Sequence, residues 1–169
     1  LPTFAGPTSI SGCVMWLDAN DTSTMTFNGA AITQWNDKTG SGIYVSQATT
    51  SNAPTLGTSQ NGLNTVYFAT SNQQMISSQN NPISGTSSRS VFQVFWCPAT
   101  NSAFLTCTGS EAPGNPAPCF GIAKNANADV DYPFLYSSAG YDTYTFVYST
   151  PNPLFTYSQY DSSSTTLSG

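Results

Sequence analysis

The stretch that decides the reading runs from Trp16 to Gly40: "WLDANDTSTMTFNGAAITQWNDKTG". The chain holds three basic and eight acidic residues. Asp18, Asp21, Asp37 and Lys38 all fall within this stretch, as do Trp16 and Trp35. Three explanations compete for that clustering: a catalytic carboxylate pair, a metal site, or a structural corner. Asp and Asn favour turns because their side chains bond the backbone two residues on. Gly40 and Gly42 supply the positive φ angles that a sharp corner needs. Trp16, Trp35, Asp37 and Gly40 are therefore the expected structural corner, with both tryptophans as core aromatics.

Outward from this segment, helical periodicity is almost absent. Short apolar runs alternate with Gly, Pro, Asn and Ser. Candidate strands are 13–17, 31–35, 43–47, 64–68, 90–97, 103–107, 119–123, 133–136, 144–148 and 154–158. β-Branched and aromatic residues dominate them. In "TYTFVY" (143–148) the aromatics alternate with Thr and Val, the period of a half-buried strand. "SVFQVFWC" (90–97) is apolar on both faces and is expected in the middle of a sheet. Ten short strands separated by turn residues predict an all-β fold, an antiparallel sandwich or barrel. The stretches 48–62 and 108–118 read as long loops.

Composition narrows the function. The chain has 169 residues, enough for one domain with a sizeable core. Its net charge is −5, and 69 residues are Ser, Thr, Asn or Gln, so the surface is polar but mostly neutral. Phosphate recognition needs Lys and Arg, which excludes nucleic acid as a partner. No apolar run approaches the length of a membrane-spanning helix, so no membrane insertion is expected. The start, "LPTFAGPTSISG", lacks the basic and apolar regions of a signal peptide. Either something has been removed before Leu1 or the chain is part of a longer one, and the end, "DSSSTTLSG", reads as a cut through polar linker or an unfinished domain. No His is present, which removes the usual general base of Ser and Cys triads.

The stretch "MWLDANDTSTMTFNGAAITQWNDKTGSG", followed by "QATTSNAPTL", "NGLNTVYFATSNQQM" and "SVFQVFW", resembles the concanavalin A-like, laminin G-like jelly-roll domains. The likeness spans roughly residues 12–97. Trp35, Asp37 and Gly40 match that family's W-x-D-x-S-G corner, with Thr39 in place of Ser. Ala69 stands where the family's F-D-G turn carries Asp. The resemblance implies an antiparallel two-sheet jelly-roll sandwich over 12–160, with an N-terminal extension at 1–11 and a polar tail at 161–169. It also implies a kind of protein found in large DNA viruses, phage and bacterial surface proteins, with glycan binding in many members. Fold alone does not imply activity.

The candidate chemistries follow. A glycosidase needs two carboxylates flanking the bond. Glu111 is the only Glu and lies in a Gly/Pro-rich loop. Asp129 and Asp131 would stand about 7 Å apart on one face of an extended segment, in a D-x-D pattern unlike the hydrolase strand. Calcium takes hard oxygen ligands, and Asp18, Asn20 and Asp21 could share one ion with a turn carbonyl. Sugar stacking needs exposed aromatics, and Tyr141, Asp142 and Tyr144 in "SAGYDTY" are the best loop candidates. Cys107 and Cys119 flank a Gly/Pro-rich loop that a disulfide could close, though four cysteines allow three pairings. Asn20-Asp21-Thr22 is an N-glycosylation sequon. The expected function is a non-catalytic structural or attachment module of a virion surface, packed against capsid or fibre subunits and able to meet cell-surface glycan. The alternative is a secreted carbohydrate-binding domain of a larger bacterial protein; a glycoside hydrolase is a minor one. The apolar text stops near Ser158, so an unpaired sheet edge is expected at the C-terminal end.

Overall fold

The computed structural model describes residues 5–70, 72–78, 89–95, 103–109, 119–125, 130–137, 140–143, 146–147, 154–160 and 167–168, with side chains over 5–70, 72–78 and 90–95. The described elements are strands and three single-turn 3₁₀ segments, and every strand pair is antiparallel. The all-β class expected from the short apolar runs is thus present. The chain divides into two compact units, Leu1–Pro82 and Ile83–Gly169.

The first unit holds β1 (Met25–Asn28), β2 (Ala31–Asn36), β3 (Tyr44–Ser46), β4 (Thr55–Leu56), β5 (Val66–Tyr67) and β6 (Ile76–Ser77). They form one sheet in the order β5-β4-β2-β3-β6, and β1 also pairs with β2. The β1–β2 hairpin closes where Asn28 faces Ala31. Gly29, at the first loop position, has φ 60°, which suits a hairpin turn whose twist matches the strands. Thr33 has no register partner on β1, because Phe27 faces Ile32 while Thr26 faces Gln34, and its hydroxyl donates to the Thr26 carbonyl at 3.2 Å. Ala31 and Ile32, adjacent and so on opposite faces of β2, are both buried. Met25, Ile43, Val45 and Ala53 complete the buried apolar set, with Ile32 and Pro54 fully enclosed. Burying an Ile side chain contributes about 1.5–3 kcal/mol.

The second unit holds β7 (Arg89–Phe95), β8 (Ala103–Gly109), β9 (Cys119–Asn125), β10 (Val130–Ser137), β11 (Gly140–Thr143), β12 (Phe146–Val147), β13 (Leu154–Tyr160) and β14 (Leu167–Ser168). One sheet runs β11-β10-β9-β8 with β12 also on β10; another runs β14-β13-β7. β11 and β12 pair with β10 in the same register. Val130 and Asp131 pair with β12, and Phe134 to Ser137 pair with β11.

Three sequence expectations change. Residues 13–17 form no strand. The Trp16 N–H goes to the Asp37 carboxylate at 2.6 Å and its carbonyl accepts from Lys38 N–H at 2.9 Å, so neither is free for a ladder. β7 is not central: among the described residues it ends its sheet beside β13. Ser90, Phe92 and Val94 are exposed while Val91, Gln93 and Phe95 are partly covered. Its apolar outer positions mimicked a two-sided strand. Finally, Leu167–Ser168 pairs with Gln159–Tyr160, so the tail does supply a short strand at β13. Two polar-flanked residues gave no periodicity from which to read it.

Candidate functional site

The corner begins where β2 ends. Asp37 donates its N–H to the Ile43 carbonyl at 3.0 Å, closing a loop over 37–43. Gly40 and Gly42 take φ angles of 84° and 79°, as the sharp turn requires. The loop is then built inward onto the Asp37 carboxylate. Oδ1 accepts from Trp16 N–H at 2.6 Å. Oδ2 accepts from Thr39 N–H at 3.0 Å, from the Ser41 hydroxyl at 2.8 Å, and from the Thr39 hydroxyl. Burial pushes the carboxyl up, but these hydrogen bonds outweigh it and hold Asp37 below its ordinary value of 3.8.

Lys38 gathers the other charges. Its Nζ lies 2.8 Å from Asp18 Oδ2, 2.9 Å from Asp21 Oδ2 and 4.3 Å from the centroid of the Trp16 ring. The hydrogen bond to Asp18, then that to Asp21, raises Lys38 above 10.5. Asp21 is lowered, first by the Ser23 hydroxyl at 2.5 Å and then by Lys38. The Asp18 carboxylate also accepts the Asn20 N–H at 3.0 Å, fixing the turn between the two acids. A β-carbon added at Gly6 would stand 3.4 Å from the Trp16 ring, so the N-terminal segment lies close against that ring.

The structure therefore brings Trp16, Asp18, Asp21, Asp37 and Lys38 together. The cation that meets Asp18 and Asp21 is the Lys38 ammonium. Asn20 turns its side-chain oxygen elsewhere, to the Asn64 N–H at 3.2 Å. Among the described residues no cluster of His, Cys, Asp and Glu suits a metal ion. Trp16 and Trp35 are half-buried rather than fully enclosed. Trp16 offers its face to an ammonium, which draws it toward solvent. Trp35 lies on β2 in register with Met25 and Val45, and its Nε1 is shut from water with no acceptor among the described residues.

Sequence reasoning missed Lys38 as the hub, and Ser41 as a ligand of Asp37. The signal was the spacing Asp37-x-Thr39-x-Ser41, which puts hydroxyls two and four residues after an acid at a turn. Chemically, the corner is an acceptor saturated by donors beside an ammonium saturated by acceptors. It fixes backbone; it leaves no acid–base pair poised to move a proton.

The other candidates lie in the second unit. Tyr141 and Asp142 sit on β11, opposite Tyr136 and Leu135 of β10. Tyr144 lies outside the described residues, as do Glu111 and Asp129. Asp131 is on β10, opposite Lys124 of β9 and Phe146 of β12. Cys107 faces Gly121 and Cys119 faces Gly109, so the two cysteines are diagonal neighbours on β8 and β9. Among the described residues no helix is long and apolar enough to cross a membrane.

No family model, curated protein or solved structure matches the chain.

Proposed function

We propose that this chain is a non-catalytic structural module, a concanavalin A-like jelly-roll sandwich on a virion surface that packs against neighbouring capsid or fibre subunits. The observation that carries this reading is the apolar rim of the first unit. The segment 55–68 exposes Leu56, Leu63, Tyr67 and Phe68, with Leu63 at 54% and Tyr67 at 51% of full exposure. On the other edge strand, β6, Ile76 is 60% exposed. Runs of large apolar side chains at a sheet edge mark surfaces that other protein covers. The corner supports the same reading, since its charges serve the loop rather than a reaction.

Sedimentation of the full chain over a concentration series tests this. Concentration-dependent oligomers that Tyr67→Lys dissociates, with the circular dichroism spectrum unchanged, fit the assembly reading. A monomer at every concentration refutes it.

Glycan attachment is the second reading. The backbone register places Tyr136 of β10 opposite Tyr141 of β11, two aromatic residues at one position of the sheet. Saturable binding on a glycan array that Tyr141→Ala abolishes, by a chain that stays monomeric, would favour a secreted carbohydrate-binding domain instead.

A further inference from the structure

We propose that Asn20 is the attachment point of an N-linked oligosaccharide. It is the asparagine of the chain's single Asn-x-Ser/Thr sequon with a non-proline middle residue, Asn20-Asp21-Thr22. The fold presents that asparagine in a form the modification needs. Asn20 is exposed, in the turn that precedes the 3₁₀ segment Thr22–Thr24. Its two amide atoms have separate roles. Oδ1 accepts the Asn64 N–H at 3.2 Å, tying the corner to the 60–65 loop. Nδ2 has no acceptor among the described residues. A sugar is carried on Nδ2, so glycosylation leaves the Oδ1 contact in place. The Thr22 hydroxyl, which the sequon requires, likewise has no hydrogen-bond partner among the described residues.

The reaction balances with a polyprenyl-diphosphate-linked oligosaccharide as donor. The Asn20 Nδ2 forms a bond to the anomeric carbon and loses one proton. The bond from that carbon to the diphosphate oxygen breaks, and the diphosphate leaves with its electron pair. The sugar then starts next to the 60–65 loop, where Leu63 is exposed. The proposal does not depend on whether the module assembles or binds sugar; it needs only a chain that meets a glycosylating compartment.

The full chain, secreted from a eukaryotic host behind a cleavable leader, tests it by intact mass and peptide mapping. The expected result is one glycan, released by peptide N-glycosidase and mapped to Asn20. It is lost in Asn20→Gln and Thr22→Ala and retained in Thr22→Ser. Thr22→Ala keeps Asn20 and its bond to Asn64, so it separates loss of the sequon from loss of the fold. Glycosylated wild type and Thr22→Ala are expected to melt at the same temperature. A secreted, folded wild-type chain without sugar on Asn20 overturns the proposal. A glycosylated chain that melts well below Thr22→Ala would overturn the claim that the sugar leaves the Asn20–Asn64 bond in place.

Discussion

Two loops of the first unit are built in opposite ways. The corner at 37–43 is turned by side chains: one carboxylate gathers backbone and hydroxyl donors from Trp16, Thr39 and Ser41. The 55–67 hairpin is turned by backbone. Thr55 faces Tyr67, Leu56 faces Val66, and Gly57 N–H reaches the Thr65 carbonyl at 2.9 Å. Gln60 and Leu63 exchange both N–H···O bonds at 2.9 Å around Asn61-Gly62, whose φ angles are both positive. That is the type I′ pattern. The corner thus concentrates charge where side chains must stand in for a ladder. The hairpin is closed by its own backbone, and Leu56, Leu63 and Tyr67 face outward among polar side chains. One bond joins the two, from Asn64 N–H to Asn20 Oδ1.

The largest expected difference comes from Asp37→Ala. It strands several donors at once, and water can reach some of them because the loop is half-exposed. The expected loss is about 3 kcal/mol of unfolding free energy by urea titration. Asp37→Asn keeps one acceptor oxygen and should lose about half as much. A loss below about 0.5 kcal/mol, the range of neutral surface changes, would mean the corner is not held by this carboxylate.

Gly57→Ala comes next, at about 2 kcal/mol. A β-carbon at Gly57 would meet Thr65 Oγ1 at 2.6 Å and Tyr67 Cβ at 2.9 Å. The hydroxyl can rotate, but the Tyr67 β-carbon cannot move without the strand. Thr65→Ser should therefore fail to rescue the variant. Rescue would show that the hairpin is looser than its register implies.

Acid separates the loops further. The folded Asp37 carboxyl lies below its ordinary value of 3.8, so near that pH the unfolded chain binds more protons. Its contribution is complete above the ordinary value and is lost as pH falls through the lower, folded one. Asp21 acts in the same direction. Stability of wild type should fall as pH drops below the ordinary carboxylate value of 3.8 and through the lower, folded one. The difference between wild type and Asp37→Asn should shrink over that window, whereas the cost of Gly57→Ala should stay constant. Parallel acid limbs for wild type and Asp37→Asn would remove Asp37 from the account.

The sequence carried the corner further than the sheet. Asp37 and Gly40 were legible because an acid between Asn and Gly-rich text has few other uses, and turn chemistry is local. β2 was legible from "AITQW" for the same local reason. The hairpin was not. Asn61-Gly62 is a strong hairpin dipeptide, but its flanks, Thr58-Ser59-Gln60 and Leu63-Asn64-Thr65, show no alternation. Strands of two residues, such as β4 and β6, are fixed by what pairs with them rather than by their own pattern. Residues 13–17 failed for the converse reason. Their pattern was strand-like, but the partners that claimed Trp16 were Asp37 and Lys38, some twenty residues away. Lys38 as hub was hidden likewise, because joining it to Asp18 and Asp21 depends on how β1 and β2 fold back.

The smallest effect concerns the Lys38 ammonium, and it decides how Asp18, Asn20 and Asp21 should be read. Exposed ion pairs are weak and salt screens them. Lys38→Met keeps the aliphatic stem available to the Trp16 ring while removing the charge, leaving the Asp18 and Asp21 carboxylates to repel each other. Its melting temperature should be slightly lower than that of wild type in low salt and equal in high salt. With the ammonium in place, 2.8 Å and 2.9 Å from two carboxylate oxygens, calcium has no room to use them both. Millimolar calcium should therefore leave wild type unchanged. In Lys38→Met the same oxygens are free for a hard cation, and calcium should restore the lost stability where potassium at equal ionic strength does not. Stabilisation of wild type by calcium would mean that the ion displaces the lysine, and the corner would then be a metal site after all.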